Sequence, residues 1–474
     1  MRKNQLSFAV IVGTRGCFSA DLARSGRVQL LAQIEKLGHR AILLPADATP
    51  NGAVETIADG HKYAELFNQH RADIDGLIIS LPNFGDELGI INALTTARLN
   101  VPILVQASDD DLDRLGTRQR RDSFCGKLSV CNNLWQHGIP FTDTATHTVA
   151  LDSPAFAQDL ERFAAVCRVV GGLRRARIGA IGARPGAFQT MRVSEKLLQR
   201  SGVTTVPVDL SEIIGAANQI NVTTARAKEK LAEIKAYGSV AKGVQNLDAK
   251  FEKHLRLYLA LENWMQANSI DAAGIQCWTS IQQNYGCATC LTMAMMGDEL
   301  LPCACEVDVA GVTGMYALML ASGNAAAIVD WNNNYGTERN KCVAQHCGNY
   351  PKSFIGKPVE IDNLSVLSTV MNPELCFGAI NGKAEPGPFT YLRFSTDDFK
   401  GCVRGYVGEG RMTDDPFPML GSIAVCEVPD LQRLLKFICK RGFEHHVAMV
   451  RSHVAGIIQE AATTYLGWDM YLHE

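Results

Sequence analysis

Apolar and polar positions alternate along the chain in a pattern that predicts strands followed by helices. The apolar run LSFAVIVG predicts a buried strand, and LARSGRVQLLAQIEKLG has the spacing of an amphipathic helix that ends at a glycine. RAILLPAD, DGLIISLP and VPILVQAS predict further buried strands separated by helical stretches. This order is typical of a doubly wound, Rossmann-like parallel sheet, which we expect to occupy residues 1–170.

The same order restarts at ARIGAIGARPGAFQ and predicts a second doubly wound parallel-sheet domain over residues 171–350. DAAGIQCW and AAAIVDW are predicted strands of this domain, and a helix is predicted before the second of them. The glycines of GAIGARPG follow a strand, as in phosphate-binding turns, but their spacing does not match GxGxxG. A tight strand-to-helix turn that lines a cleft explains these glycines better.

Near residue 350 the pattern changes to short segments separated by turns. FTYLRFSTDD, KGCVRGYVGEG and GSIAVCEV predict a smaller antiparallel, β-barrel-like domain over residues 351–474. VAMVRSHVAGIIQEAATTYLG predicts a helix that closes this domain. The predicted fold class is therefore α/β, with two doubly wound domains followed by a β-rich carboxy-terminal domain.

Composition narrows the classes of partner. The 474 residues are 47% hydrophobic and 20% charged, which supports large packed cores. The formal net charge of -3 gives no basic footprint for nucleic acid, and no apolar run approaches the ~18 residues of a membrane span. The basic start MRKNQ is better explained by a first buried strand than by an export signal. We therefore expect a cytoplasmic protein with a small-molecule partner, whose 15 cysteines are reduced thiols.

Two carboxylates bracket a long apolar run. Glu306 lies just before a predicted helix, and Asp330 lies at the carboxyl end of the strand AAAIVD, where ligands bind in open α/β sheets. His346, His445 and His446 follow downstream. Two carboxylates with one or two imidazoles suit a divalent ion such as Mn²⁺. Each residue also has an ordinary interpretation, as a helix cap, a turn residue or a structural histidine.

The cysteines offer an alternative metal site. Cys287 and Cys290 form a CxxC pair, and Cys303 and Cys305 form a CxC pair shortly after it. Four such thiolates would suit a structural zinc ion. The apolar surroundings of the first pair favour small core residues instead.

Taken together, several segments resemble the L-fucose isomerase / L-arabinose isomerase superfamily over nearly the whole chain. They are CEVDVAGVTGMYALMLASGNAAAIVDW, VGTRG, RDSFCGKLSVCNNLWQHGIPF, GARPGAF, GIQCW and QHCGNYP. The resemblance implies an aldose–ketose isomerase that uses Mn²⁺ or another divalent cation. It also implies a homo-oligomer, a hexamer or tetramer, with the active site at a subunit interface.

The resemblance also implies roles for individual residues. The acidic metal ligands of the family would fall on Glu306 and Asp330, and its late histidine ligand on His446 in preference to His445. His346 matches a further ligand position of the arabinose branch. Isomerisation requires removal of a proton beside a carbonyl, so both acids are also the predicted catalytic acid/base groups. The candidate substrate contacts are Arg15, Gln276, Trp278, Asn332 and His445.

The identity of the sugar is left open by the sequence. A neutral fucose-like or arabinose-like monosaccharide is the first expectation. Arg404 and Arg411, together with Arg15, keep an anionic hexose such as sulfoquinovose as an alternative, because guanidinium groups bind sulfonate and phosphate well. A non-catalytic sugar-binding protein is the second alternative, because two α/β lobes around a cleft also describe such binders.

Overall fold

A computed structural model describes residues 5–356 and 358–474, which form two compact units. The first unit contains the chain up to Gly171 together with Thr464–Leu466, and the second contains Gly172–Thr463 together with Gly467–Glu474. Among the described residues, no helix combines the length and apolar character needed to cross a membrane.

The first unit is built on a parallel sheet with the strand order β2-β1-β3-β4-β5. Its strands are β1 Ser7–Val12, β2 Arg40–Ile42, β3 Gly76–Leu81, β4 Ile103–Ala107 and β5 Thr142–Asp143. Its helices are α1 Ala20–Lys36, α2 Ile57–Gln69, α3 Glu87–Ala97, α4 Ser123–Gln136 and α5 Pro154–Leu173, the last of which runs two residues into the second unit.

Both faces of this sheet are covered by helices. Phe8 and Val10 of β1 pack with residues of α1 and α5, whereas Ala9 and Ile11, which point to the other face, pack with α2, α3 and α4. A strand buried on both faces needs a continuous apolar run, which is what LSFAVIVG supplies. The expected parallel α/β sheet is confirmed here.

The second unit begins with another parallel sheet, in the order β10-β9-β6-β7. The strands of this stretch are β6 Arg177–Ile181, β7 Thr204–Val208, β8 Ser239–Val240, β9 Ala272–Ile275 and β10 Cys303–Ala304. The helices are α6 Glu195–Arg200, α7 Leu210–Gln219, α8 Ala225–Ala236, α9 Leu247–Ala267, α10 Ser280–Asn284, α11 Cys290–Asp298 and α12 Val309–Ser322.

The rest of the second unit forms a mixed sheet that closes on itself. Antiparallel pairs run in the order β16-β15-β18-β11-β12-β17, and β17 pairs back with β16. The strands are β11 Ala326–Tyr335, β12 Glu338–His346, β13 Glu360–Asn363, β14 Phe377–Lys383, β15 Gly387–Asp397, β16 Cys402–Thr413, β17 Ser422–Glu427, β18 His446–Val450 and β19 Asp469–His473. The helices are α13 Ser365–Ser368, α14 Leu431–Arg441 and α15 Ala455–Glu460.

Helix α12 connects the two sheets of the second unit. It contacts β6 and β9 of the parallel sheet and β15, β18 and β11 of the closed sheet. Asp308 caps its start by accepting a hydrogen bond from the Gly311 N–H at 2.8 Å, and Gly323 ends it in the left-handed conformation. The apolar run seen in the sequence is thus a helix buried almost all round.

Two local expectations were wrong. AAAIVDW was expected in the second parallel sheet, but it forms β11 of the closed sheet and pairs antiparallel with β12 and β18. VAMV was expected to be helical, but it belongs to β18, and the helix that follows is the short α15. In both cases the apolar run predicts burial, while the pairing partner lies far away in sequence. The domain boundaries at 170 and 350 stay predictions.

Candidate metal centre

A short connector between β10 and α12 carries the first acidic residue of the site. Glu306 and Val307 both adopt left-handed backbone conformations, with φ of 55° and 56°. This conformation is rare for residues with a side chain and costs on the order of 1–3 kcal/mol each. The connector lies directly on β9, where a Cβ at Gly274 would come within 2.9 Å of the Val307 backbone. Such conformations persist only where the surrounding structure fixes the backbone, and they are typical of functional sites.

Glu306, His346 and His446 converge in the interior of the second unit. Each is at most 2% exposed. Glu306 Oε2 lies 3.0 Å from His446 Nε2 and 3.9 Å from His346 Nε2, and the two Nε2 atoms are 3.4 Å apart. His346 ends β12 and His446 begins β18, so two strands that both flank β11 supply the imidazoles.

The second acidic residue reaches the same imidazole from β11. Asp330 is the register partner of His446 on β18, and its Oδ1 atom lies 3.5 Å from His446 Nε2. The same oxygen lies 3.7 Å from Nε2 of His445. The side chains of Asp330 and His445 are 25% and 42% exposed, so this side of the cluster is more open than the side formed by Glu306. Both predicted acids therefore face one histidine nitrogen.

The residues present fit a divalent cation. Glu306 Oε2 and Asp330 Oδ1 are buried atoms without a hydrogen-bond partner among the described residues, because their contacts with the histidines lack hydrogen-bond geometry. Unpaired buried polar atoms are costly, and here each lies within 3.5 Å of His446 Nε2. Ligand atoms bound at right angles to one ion at about 2.1 Å lie roughly 3 Å apart, which is close to these separations. Imidazole and carboxylate ligands suit Mn²⁺ and similar ions.

A buried network holds His446 in place. Its Nδ1 atom lies 2.9 Å from Asp308 Oδ2, and Asp308 accepts hydrogen bonds from both terminal nitrogens of Arg393. The Nε–H of Arg393 donates to Glu444 at 3.1 Å, and Glu444 also accepts from the Ser395 hydroxyl. A carboxylate on Nδ1 keeps a proton there, so Nε2 is the nitrogen that can offer a lone pair to a metal ion once its own proton is lost.

The charges of the network favour ionised carboxylates at Glu306 and Asp308 and a protonated imidazole at His446. Burial disfavours the charged form of Glu306, but the nearby His446 and His346 outweigh it and lower its pKa. Burial likewise opposes protonation of His446, yet the Asp308 and Glu306 carboxylates raise its pKa to about 10. The pKa of Asp308 is lowered despite burial, by Arg393 and His446. A bound cation would therefore displace a proton from His446.

Thiols line the opposite side of Glu306. Cys277 Sγ lies 3.5 Å from Glu306 Oε1, and Cys305 Sγ lies 3.8 Å from His346 Nδ1. Burial raises the pKa of the Cys277 thiol. The pairing expected for a structural zinc is not formed: Cys287, Cys290 and Cys303 join none of the converging groups of His, Cys, Asp and Glu found within the described ranges. They are buried in the core instead, as small apolar residues are.

Two predicted sugar contacts are engaged in hydrogen bonds in the second unit. Gln276 Oε1 accepts a hydrogen bond from the Ala183 N–H, so this amide ties β9 to the glycine-rich turn. Asn332 donates to the Gln345 side chain at 2.8 Å. Trp278 packs edge-to-face on Phe188, with ring centroids 5.5 Å apart.

The arginines singled out in the sequence occupy different surroundings. In the first unit, Arg15 donates to the Gly85 carbonyl and to Glu87 and stacks on Phe84. Arg404 donates to the carbonyls of Arg441 and Gly442 at the end of α14, so both of its terminal nitrogens are used there. Arg411 is exposed on β16. None of these contacts involves the candidate metal centre.

Sequence reasoning missed Asp308, Arg393 and Glu444. Asp308 had a visible signal, because it is a third carboxylate next to the same apolar run and sits where a helix cap is expected. Arg393 and Glu444 had none, since each is a single charged residue in a β-rich stretch. Their pairing depends on β15 lying beside β18.

The comparison with family models identifies the class. Residues 9–174 match the model for the fucose/sulfoquinovose isomerase N-terminal domain, and residues 344–473 match that for the L-fucose isomerase C-terminal domain. Together the two models cover more than half of the chain. The chain belongs to the fucose isomerase-like superfamily and is an aldose–ketose isomerase.

The chain is also similar to individual proteins with named activities. A sulfoquinovose isomerase of Priestia aryabhattai is 27% identical over 346 residues, which is 72% of this chain and 73% of the relative. A sulfoquinovose isomerase of Clostridium sp. (strain MSTE9) is 26% identical over 72% of this chain and 74% of the relative. A solved solute-binding protein from Burkholderia multivorans matches with a TM-score of 0.19 and 10% identity, over 68% of this chain and 95% of that one.

Proposed function

We propose that this protein is a divalent-metal-dependent aldose–ketose isomerase whose substrate is an anionic hexose of the sulfoquinovose type. The observation that carries the metal dependence is the buried convergence of Glu306, His346 and His446, with an unpaired carboxylate oxygen at its centre. The residues that would hold the ion are Glu306, Asp330 and His446, with His346 as a further ligand. Mn²⁺ is the ion we expect first, because the ligands are carboxylate and imidazole.

The acid/base chemistry follows from the two carboxylates. An ion bound there would act as a Lewis acid toward the carbonyl and the neighbouring hydroxyl oxygen of an open-chain sugar. Glu306, on the connector after β10, and Asp330, in the middle of β11, approach one histidine nitrogen from different elements, so they can serve neighbouring carbons of one substrate. One carboxylate takes the proton beside the carbonyl, and the other, as the acid, returns one to the adjacent carbon through an enediol intermediate.

The network behind His446 keeps this arrangement rigid. Asp308 holds the imidazole, and Arg393 holds Asp308. Burial of all three excludes water from the inner side of the cluster, while the partly exposed Asp330 and His445 leave an approach from the other side. A rigid inner shell and an open outer side are what a sugar site requires.

The relatives support the anionic sugar over the neutral one. The curated relatives reported above are named as sulfoquinovose isomerases, which favours the alternative reading of the sequence over the fucose-like or arabinose-like expectation. The carboxy-terminal match to L-fucose isomerase keeps a neutral 6-deoxy sugar as the second candidate. The cytoplasmic location and the hexameric or tetrameric assembly stay predictions.

A substrate panel tests the proposal. The purified protein is stripped with chelator, reloaded with Mn²⁺, and given sulfoquinovose, L-fucose, D-arabinose or L-arabinose, with the matching ketose followed by NMR. We expect turnover only in the reloaded protein, and fastest with sulfoquinovose. Faster turnover of L-fucose would favour the second candidate. Full turnover in the stripped protein would refute the metal dependence, and binding of a sugar without turnover would favour a sugar-binding protein.

A further inference from the structure

Potential metal ligands also lie on the side of Glu306 that faces Cys277 and Cys305, which is called the thiol side below. Cys277 Sγ, Cys305 Sγ and a Glu306 oxygen all lie within 4.8 Å of one another, and all three residues are buried. Cys277 Sγ is 3.5 Å from Glu306 Oε1, the carboxylate oxygen that is not the one facing His446. The two oxygens of Glu306 therefore face two different donor sets.

The two ring nitrogens of His346 also face different groups. Its Nε2 atom faces His446, while its Nδ1 atom lies 3.8 Å from Cys305 Sγ. Two sulfurs and one carboxylate oxygen thus converge on the thiol side, and one imidazole nitrogen lies beside Cys305 Sγ. Two sulfur ligands, one oxygen and one nitrogen match the donors that Zn²⁺ accepts in tetrahedral sites, where bonds to sulfur of about 2.3 Å place ligand atoms roughly 3.5–3.8 Å apart.

The sulfurs already have the hydrogen bonds that support thiolates. The Glu306 N–H points at Cys277 Sγ at 3.4 Å, and the Asn349 side-chain amide points at Cys305 Sγ at 3.5 Å. Donors to the sulfurs fix their orientation and stabilise their negative charge, as outer-shell groups do in metal sites. Neither cysteine is exposed, which sets this pair apart from the surface thiols Cys17, Cys125 and Cys439.

We propose that Cys277, Cys305, Glu306 Oε1 and His346 Nδ1 form a second site that takes a thiophilic divalent ion such as Zn²⁺ or Cd²⁺. Hard ions such as Mn²⁺ prefer the carboxylate–imidazole side, so the two sites select different metals. An ion on the thiol side draws charge from Glu306 and His346, which both sites share, and thereby inhibits isomerisation. The inhibition rests on the proposed function, whereas the binding of the thiophilic ion does not.

Cadmium titration of the metal-free protein tests the binding without any assay of activity. One equivalent of Cd²⁺ should produce the ultraviolet charge-transfer band of a cadmium–thiolate bond. The variants Cys277→Ala and Cys305→Ala should each lose at least half of the band, and the control Cys303→Ala, a buried cysteine that contacts Met296 instead, should keep it. A missing band in the natural protein, or an unchanged band in both variants, would overturn the proposal.

Two further measurements test the site without relying on folded variants and test its effect on activity. Cadmium NMR of the natural protein should show a resonance typical of two sulfur ligands; a shift typical of oxygen and nitrogen ligands alone would refute the site even if the variants do not fold. In the Mn²⁺-loaded protein, Cd²⁺ should reduce turnover at least tenfold, and Cys303→Ala should be inhibited equally. Absence of turnover before cadmium is added would count against the proposed function, while the charge-transfer band would still decide the second site.

Discussion

His446 Nδ1 lies 2.9 Å from Asp308 Oδ2, and this buried contact orients the histidine that both candidate acids face. Asp308 has two structural tasks at once, because it also caps the helix that connects the two sheets of the second unit. The position of the candidate metal centre is therefore coupled to the start of α12. Mutations at Asp308 should separate these tasks.

Asp308→Asn should weaken Mn²⁺ binding by about 10- to 100-fold, because a neutral amide holds and orients the Nδ1–H of His446 less strongly than a carboxylate does. Asparagine is as good a helix cap as aspartate, so the start of α12 should be retained. The measurement is a titration of the metal-free protein with Mn²⁺, in which the free ion is detected by electron paramagnetic resonance. Asp209→Asn, which changes the cap of α7 in the same way, is the matched control and should bind Mn²⁺ normally. Equal affinity in both variants would remove the orienting role of Asp308.

Glu306→Gln should lower turnover by at least about 100-fold, because it removes the carboxylate that we propose as both a metal ligand and an acid/base group. The amide has nearly the same size, so packing of the connector should be preserved. The rate is measured by NMR with saturating Mn²⁺. Glu427→Gln, at an exposed position of β17, is the control and should leave the rate unchanged. A Glu306→Gln enzyme with full turnover would rule out the assignment.

Gly126→Ala should destabilise the first unit strongly. The glycine lies in α4, and a Cβ there would come within 1.6 Å of the Phe84 carbonyl oxygen, so backbone must move. We expect a loss of about 1–3 kcal/mol or more in the free energy of unfolding. Gly215→Ala is a helix glycine of α7 with nothing within 4 Å of the added Cβ, and it should gain up to about 1 kcal/mol. Urea unfolding of both variants measures the two changes in the free energy of unfolding, which should have opposite signs. Equal changes would contradict the close contact between position 126 and Phe84.

His254 should make stability fall in acid. It is buried between Thr292 and the Phe377 carbonyl, and burial lowers its pKa from 6.5 to about 4. Between these values the unfolded chain binds a proton that the folded protein does not, so stability declines as pH falls from about 6.5 to about 4. The decline from this residue amounts to about 3 kcal/mol at most.

Unfolding measured between pH 7 and pH 4 tests this dependence. His254→Gln cannot titrate, and its amide can still donate to the Phe377 carbonyl, so its stability should depend less on pH than that of the natural protein. The exposed His61→Gln is the control and should follow the natural protein. An unchanged slope in His254→Gln would show that another group titrates.

Much of the fold could be predicted from the sequence, because the local pattern of apolar residues determines which segments are buried. The continuous apolar runs of β1, β3 and β4 predicted a parallel sheet covered on both faces, and the covered faces are present. The pairing of the strands could not be predicted in the same way. The sequence of β11 predicts a parallel strand, because an apolar run carries no information about its partner, and the sequence of its antiparallel neighbour β18 predicts a helix.

The candidate site was readable only in part. Glu306 and Asp330 stood out because acids beside an apolar run are costly unless they have a task. The thiol pairing could not be found from spacing, because CxxC places Cys287 and Cys290 near each other without showing that Cys277 meets Cys305. Arg393 reaches Asp308 only through the folding of β15 onto α12, which local patterns do not encode.

The most direct test is the position of the metal itself. Crystals grown from Mn²⁺-loaded protein should show an anomalous difference peak within bonding distance, about 2.0–2.3 Å, of Glu306 Oε2 and His446 Nε2. Asp330 should be the next ligand. A fully occupied peak elsewhere in the molecule, or no peak between these residues in an active, loaded protein, would contradict the account.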